Sequence, residues 1–300
     1  MRPVFLLSAL PLWAAAGPPD LAKILERVSE EAEIFQQNAA KVIATERLLH
    51  RGRRSPSRFK PSEAGEGAPV NASALVEREI VSEYGFAPFH DAPASIHEFR
   101  QVVTVDGQPV KEIEKARESL VFNMKSDDDR LRRKMLQDFE KLGMVGAATD
   151  FGQLLLMFRR GALDRYEFSL VSGRNDRAGT EKVLVVSYLQ KESGEGARVF
   201  HGRRMAVIPA KGEIWVREAD YLPVRVTIEI PSREENAEIL HAGETDYERI
   251  RHGILLPRAV RYTRKEGQLA LVENFAFYND HRMFKVESSV KFSFEEVKPQ

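Results

Sequence analysis

The feature that most constrains the fold is a regular alternation of apolar and polar residues between positions 212 and 296. In the segment 222–230, leucine, valine and isoleucine alternate with Pro223, Arg225, Thr227 and Glu229. A period of two gives a strand one buried and one solvated face, as in an antiparallel sheet. Long twisted strands joined by short turns do not stay flat. We therefore predict a curled antiparallel sheet, an open half-barrel with an apolar concave face.

Short turns separate the strands of this region, at positions 251–253, 265–267 and 279–280. Gly253 and Gly267 supply the positive φ that tight hairpins need, and Asn279 and Asp280 tolerate it. The spacing predicts that successive strands pair as hairpins.

Two helical patterns interrupt the strand patterns. Residues 20–41 carry an apolar stripe at helical spacing, and residues 111–161 form a helical insert that ends in a nearly all-apolar helix at 151–160. Because an amphipathic helix must cover an apolar surface, we predict that both lie on the concave face. No β-α-β alternation is present, so the predicted class is α+β rather than a parallel sheet.

The first residues predict export. Arg2 precedes an apolar stretch at 4–13, and Ala14, Ala15 and Ala16 form a small-residue cleavage site. The stretch is typical of a secretory signal peptide and is too short to span a bilayer. Cysteine is absent, so neither disulfides nor a lipid-bearing cysteine is expected. We predict a signal peptide at 1–16 and one soluble domain at 17–300, in the bacterial periplasm or secreted.

A basic segment rich in glycine, proline and serine occupies residues 51–73 and predicts a mobile loop. It is compatible with contact to an anionic surface, but a solvated loop is favoured because no aromatic residues lie among its arginines. The formal net charge of +0 and the pI of about 7.1 give no indication of nucleic-acid binding.

Motifs for catalysis, metals and cofactors are absent from the sequence. The 7 histidines have no metal-ligand spacing, and His90 and His281 are expected in exposed loops. The sequence contains no nucleophile elbow, phosphate-binding loop or dinucleotide fingerprint. A hydrolase site assembled from distant carboxylates stays open as an alternative. The prediction is a non-catalytic protein with no cofactor and no metal.

Large apolar residues on the predicted sheet and on the all-apolar helix are the candidate binding residues. Two interpretations fit them: an apolar cavity between sheet and helices that holds an acyl chain, or a packed core. In the second case the protein is a sensor or interaction module that binds a protein partner. The candidate cavity residues are Leu155, Phe158, Trp215, Val224, Val226, Leu256, Phe275, Phe277 and Phe284.

The order of these elements resembles the bacterial periplasmic lipoprotein-carrier superfamily, the outer-membrane lipoprotein-sorting (Lol-type) proteins. The resemblance rests on Gly212-Glu213-Ile214-Trp215-Val216 followed by Leu222-Pro223-Val224-Arg225, and on Gly253-Ile254-Leu255-Leu256-Pro257. It covers mainly the C-terminal third. It implies a curled sheet covered by helices and a lipid or acylated ligand.

The export prediction is tested by intact-mass measurement of the protein recovered from the periplasm of an expressing bacterium. We expect a chain that begins at Gly17, because signal peptidase cleaves after small residues. A cytoplasmic protein that retains Met1 would contradict it.

Overall fold

The structure, a computed structural model, describes residues 19–53, 75–89, 92–125, 130–142, 150–172, 176–191, 197–201, 204–234 and 237–284. The predicted signal peptide, most of the basic loop at 51–73 and the strand pattern after Phe284 lie outside these residues. The helices are α1 (Leu21–Asn38), α2 (Ile113–Lys125) and α3 (Arg130–Lys141), and the 3-10 helices are Ala39–Lys41, Leu154–Phe158 and Arg160–Arg165.

The strands are β1 (Val42–Arg53), β2 (Leu75–Phe89), β3 (Ala92–Val105), β4 (Gln108–Pro109), β5 (Tyr166–Leu170), β6 (Arg177–Ala178), β7 (Glu181–Gln190), β8 (Ala197–His201), β9 (Arg204–Ile208), β10 (Lys211–Arg217), β11 (Pro223–Glu234), β12 (Ala237–Arg249), β13 (Leu255–Glu266) and β14 (Leu269–Met283). A 12-stranded sheet has the order β4-β3-β2-β1-β14-β13-β12-β11-β10-β7-β5, with β6 paired to β7. Strands β8 and β9 form a separate hairpin.

The sheet is antiparallel and curled, and its two ends do not pair with each other. Val226, Ile228 and Ile230 on β11 are buried in the core, while the residues between them lie on the other face. The strands with one buried face that the alternation predicted are therefore confirmed, and so is the α+β class. We call the face that carries these residues the concave face, and the opposite face the outer face.

Helix α1 covers the concave face. Asp20 caps its first turn by accepting a hydrogen bond from the Ala22 N–H at 3.0 Å. Its apolar stripe is buried in the main core, with Ile24, Val28, Ala32 and Phe35 at 0% exposure. The predicted helix and its packing surface are confirmed.

The mid-chain insert is divided between the two faces. Met135 and Phe139 of α3 join the main core, whereas Leu120 and Val121 of α2 pack in a second cluster on the outer face. Gly85 on β2 is the contact point for α2, because a Cβ atom there would lie 2.8 Å from the sulfur of Met124.

Three local predictions are wrong. Asn279 and Asp280 form no turn, because β14 continues to Met283 and accommodates Asp280, at φ +55°, in an irregular register with β1. His281 consequently lies in this strand and is half-buried rather than in an exposed loop. His90 lies outside the described residues.

The helix predicted at 151–160 is split into short 3-10 helices at Leu154–Phe158 and Arg160–Arg165, since so short a segment depends on its packing.

His50 on β1 predicts a pH dependence of stability. Its ring is buried, and burial lowers its pKa below the ordinary 6.5 although Asn274 lies 2.6 Å from Nδ1. Below pH 6.5 the unfolded chain therefore binds a proton that the native state does not. The free energy of unfolding should fall by up to about 1.4 kcal/mol per pH unit until the native pKa is reached.

Urea denaturation at pH 7 and pH 5.5 measures this loss. The variant His50→Gln retains a partner for Asn274 but does not titrate, so its stability should fall less over the same interval. Equal losses in the two proteins would show that His50 is not responsible.

Candidate functional site on the concave face

A buried ion cluster interrupts the apolar packing of the concave face. Glu46 on β1 and Glu98 and Arg100 on β3 are each at most 6% exposed. The Arg100 guanidinium donates to both oxygens of Glu46, at 2.7 and 2.8 Å, and to Glu98 Oε2 at 2.8 Å. Two carboxylates thus share one guanidinium, which leaves one negative charge in excess.

Two buried tyrosines contact this ion cluster. The Tyr84 hydroxyl donates to Glu98 Oε1 at 3.0 Å, and the Tyr278 ring lies 4.5 Å from the Tyr84 ring. Burial, together with the nearby carboxylates, raises the pKa of both tyrosines well above its ordinary value. Burial alone would lower the pKa of Arg100, but Glu46 and Glu98 hold it well above its usual range. The tyrosines are therefore neutral and the arginine is charged at any physiological pH.

Glu98 also binds the backbone of the segment that follows α3. Its carboxylate accepts hydrogen bonds from the N–H groups of Asp150 at 2.8 Å and Gly152 at 2.7 Å. In return the Asp150 carboxylate accepts from the Glu98 N–H at 2.9 Å and lies 3.0 Å from His97 Nδ1. A side chain at position 152 would lie 2.7 Å from Glu98 Oε1, so only glycine allows this approach.

The residues after this attachment form what we call the plug, Leu154–Phe158, with the sequence LLLMF. Leu154, Leu155 and Phe158 are buried in the main core, where the plug lies against α1 and β11. The Tyr247 hydroxyl accepts from the Leu155 N–H at 2.9 Å and donates to the Gly152 carbonyl at 3.1 Å. The plug is therefore apolar in its side chains and is held by polar contacts at its N-terminal end.

The far end of the plug lies in an aromatic cluster. The Phe158 ring is 4.9 Å from the ring of Tyr188, 5.5 Å from Tyr166 and 6.0 Å from Phe168. Beyond it, Arg159 donates to Gln36 of α1 at 3.3 Å. These contacts fix the plug between α1 and the strands β5 and β7.

This packing leaves little free space on the concave face between the ion cluster and the plug. An enclosed space of about 20 Å³ lies beside the ion cluster, between Glu98, Arg100, Phe151 and Tyr278. Such a volume holds one water molecule and no larger ligand. An acyl chain could consequently enter this part of the face only if the plug or α1 moved.

A larger depression of about 970 Å³ is lined mainly from the outer face, across β7, β10 and β11. It includes Trp215, and ion pairs cross it between Lys211 and Glu229 and between Arg261 and Glu244. Its lining is mixed, with apolar residues such as Trp215 and Leu189 beside these ion pairs.

The predicted cavity residues fall into separate places. Leu155, Phe158, Val226 and Leu256 meet in the main core, and Val224 is half-buried on β11. Phe284 packs in the second cluster, which includes residues of α2. Their role in ligand binding stays a prediction.

Trp215, Phe275 and Phe277 lie on the outer face, each between neighbours whose side chains face inward. Phe277 is 40% exposed, and its ring centroid lies 5.2 Å from that of Phe275. The hypothesis that it faces the helices is therefore wrong: both faces of β14 carry apolar residues here, and their alternation does not identify the inner face.

The sequence analysis did not single out Glu46, Glu98, Arg100 or Tyr247. The sequence pattern nevertheless contains an indication of burial for two of these residues, Glu46 and Glu98. Glu46 stands between the inward-facing Ala44 and Leu48, and Glu98 follows the inward-facing Ile96 by two residues. A charged residue at an inward position of an apolar alternation indicates a buried, paired charge.

Among the described residues no group of three or more metal-ligating side chains lies together. Within the same residues, no helix has the length and apolar character needed to cross a membrane.

No protein family and no curated protein matches the sequence. Two solved structures are similar to the chain. A DUF1329 family protein from Desulfovibrio piger ATCC 29098 is 9% identical with a TM-score of 0.35, over 89% of this chain and 95% of that one. A LolA superfamily protein from Nitrosomonas europaea is 11% identical with a TM-score of 0.31, over 88% and 94%.

The second of these proteins carries the name of the superfamily that the sequence resembles. At these identities and TM-scores the likeness assigns neither a ligand nor an activity to this chain.

The placement of the two phenylalanines predicts unequal costs of truncation. Phe158→Ala should lower the free energy of unfolding by about 3–5 kcal/mol, because it leaves a cavity among the rings of Tyr166, Phe168 and Tyr188. Phe277→Ala should cost about 1 kcal/mol or less, because the ring is partly in water. Chemical denaturation measures both, and similar losses would contradict the placement of Phe277 on the outer face.

Proposed function

We propose that the protein is an exported, non-catalytic carrier that binds a lipid or acylated ligand between its curled sheet and its helices. The plug is the observation that carries this proposal. Its 5 apolar residues fill the concave face without belonging to the sheet or to a long helix. An acyl chain presents the same kind of surface, so the ligand binds by displacing the plug from the main core.

Such an exchange keeps apolar burial nearly constant. Each methylene of an entering acyl chain contributes about 0.8 kcal/mol when buried. Contacts that Leu154, Leu155 and Phe158 lose with α1 and the sheet are replaced by contacts with the chain. The net cost of opening is then set by the polar contacts of the plug and by the exposure of its side chains.

The local structure of the plug supports this exchange. Short 3-10 helices have poorer hydrogen-bond geometry than α-helices and contribute little stability of their own. The plug is held instead by Glu98 and Tyr247 at one end and by the contact of Arg159 with α1 at the other. Loss of a few hydrogen bonds releases it without disrupting a strand of the sheet.

The state of the buried carboxylates supports binding rather than catalysis. Both oxygens of Glu46 accept from Arg100, and each oxygen of Glu98 accepts two hydrogen bonds. A general base needs a free lone pair within reach of its substrate. These oxygens have their hydrogen bonds within the protein, so a hydrolase site at this cluster is disfavoured.

A second candidate function is an interaction module, and the outer face provides its observation. Leu49 at 39% and Phe277 at 40% exposure lie beside Phe275 on neighbouring strands. Exposed aromatic residues are enriched at protein interfaces. In that case the packed concave face is only a core, and the protein binds no lipid.

Binding of an apolar fluorescent probe, phenylnaphthylamine, by the mature protein separates the two functions. A carrier should bind the probe, and Tyr247→Phe should bind it about tenfold more tightly. The variant removes the hydroxyl that holds Leu155 and Gly152, so the open state becomes more populated. Tyr262→Phe is the control, because the Tyr262 hydroxyl contacts His241 at 2.9 Å.

Equal affinities of the two variants would show that the plug does not control access. Absence of probe binding by all three folded proteins would overturn the carrier function and favour the interaction module.

A further inference from the structure

The polar attachment of the plug constrains the polar end of any ligand that replaces it. This inference rests on the proposed exchange. The plug and the residues that attach it, 150–158 together, are amphiphilic: the backbone N–H groups of Asp150 and Gly152 meet the Glu98 carboxylate, and the apolar side chains of residues 154–158 follow. A ligand in the same place has its head group beside Glu98 and its chain toward the Phe158 aromatic cluster.

Departure of the plug together with the residues that attach it, 150–158, leaves several buried groups without partners. Glu98 keeps the Tyr84 hydroxyl and Arg100 but loses two backbone donors. The Tyr247 hydroxyl loses its contacts with Leu155 and Gly152, and Thr245 loses the Phe151 carbonyl at 2.6 Å. Because an unpaired buried polar group is costly, a ligand that supplies N–H or O–H donors at this point binds better than one that does not.

Charge gives a second constraint. Glu46 and Glu98 carry two negative charges against the single positive charge of Arg100, and all three are buried. Like charges brought together in such a place repel strongly. An anionic head group beside Glu98 is therefore disfavoured.

Arg100 gives a third constraint on the head group of the ligand. Its Nη1 atom is buried and has no hydrogen-bond acceptor within the part of the chain that the structure describes. A head group that accepts a hydrogen bond as well as donating one satisfies both Arg100 and Glu98.

We propose that the concave face selects amphiphiles whose head group is uncharged and both donates and accepts hydrogen bonds, such as an amide or a hydroxyl, over chain-matched carboxylates. Glu98 is the residue that determines this selectivity. The tail is an acyl or alkyl chain, in accordance with the proposed carrier function.

Competition against phenylnaphthylamine tests the selectivity on the mature, full-length protein at neutral pH, with decanamide and decanoate as competitors. A neutral amphiphile enters any apolar site more readily than an anion does. The informative quantity is therefore the affinity ratio of amide to carboxylate, compared between proteins. This ratio should fall about tenfold in Glu98→Gln, which removes the charge and keeps the shape.

The control is Glu83→Gln. Glu83 is equally buried on the neighbouring strand β2, but it lies on the outer face and pairs with Arg117 at 3.2 Å. The affinity ratio of decanamide to decanoate in Glu83→Gln should equal that of the wild-type protein. Tyr84→Phe, which removes one donor to Glu98 and keeps the charge, provides a second variant should Glu98→Gln fail to fold, and its preference for decanamide should be larger than that of the wild type.

The outcomes separate this inference from the proposed function. An unchanged ratio in Glu98→Gln, or a wild-type preference for decanoate, overturns the head-group selectivity while the carrier function stands. No probe binding by the wild-type protein overturns the carrier function itself.

Discussion

Glu98 accepts hydrogen bonds from the Tyr84 hydroxyl, the Arg100 guanidinium and the backbone N–H groups of Asp150 and Gly152. A buried carboxylate is stable only with such partners, so the position of each donor depends on the others. Through this one side chain the ion cluster between β1 and β3 is joined to the segment that precedes the plug. Removal of the carboxylate would leave Arg100 paired with Glu46 alone and the plug without its first attachment.

The two faces of the sheet differ in their side chains: one buries apolar residues and the other carries solvated ion pairs. On the concave face, α1 and the plug bury large apolar side chains such as Phe35 and Phe158. On the outer face, cross-strand pairs such as Arg47 with Glu79 and Arg225 with Asp246 keep most of the surface solvated. Surface pairs of this kind contribute little stability each, but they discourage apolar association of the exposed strands. The aromatic patch at Phe275 and Phe277 is the exception.

A core that is partly built from a replaceable segment has a specific thermodynamic consequence. The apparent affinity for a ligand equals the intrinsic affinity reduced by the population of the open state. Strong anchoring of the plug at Glu98 and Tyr247 therefore weakens binding, but it also keeps apolar surface from water when no ligand is present. The balance between the two is set by a small number of hydrogen bonds, each worth about 1 kcal/mol.

The sequence alone determined the features that depend on local periodicity and local conformation. The period of two along β11, the apolar stripe of α1 and the hairpin glycines Gly253 and Gly267, at φ +79° and +55°, act through near neighbours in the chain. For this reason the antiparallel strands, the first helix and the α+β class were predicted correctly. The all-apolar character of residues 154–158 also indicated burial.

Only the tertiary structure decided which apolar residues share a site. Glu98 and Gly152 are 54 residues apart in the chain, and Arg100 and Glu46 are equally distant, so no local pattern reports their contacts. Phe277 was assigned to the wrong face because alternation defines two faces of a strand but not which one is covered. That choice depends on where the helices pack, and packing is a property of the whole chain. Ala276 and Tyr278 on one face of β14 lie in the main core, and Phe277 on the other face stays partly in water.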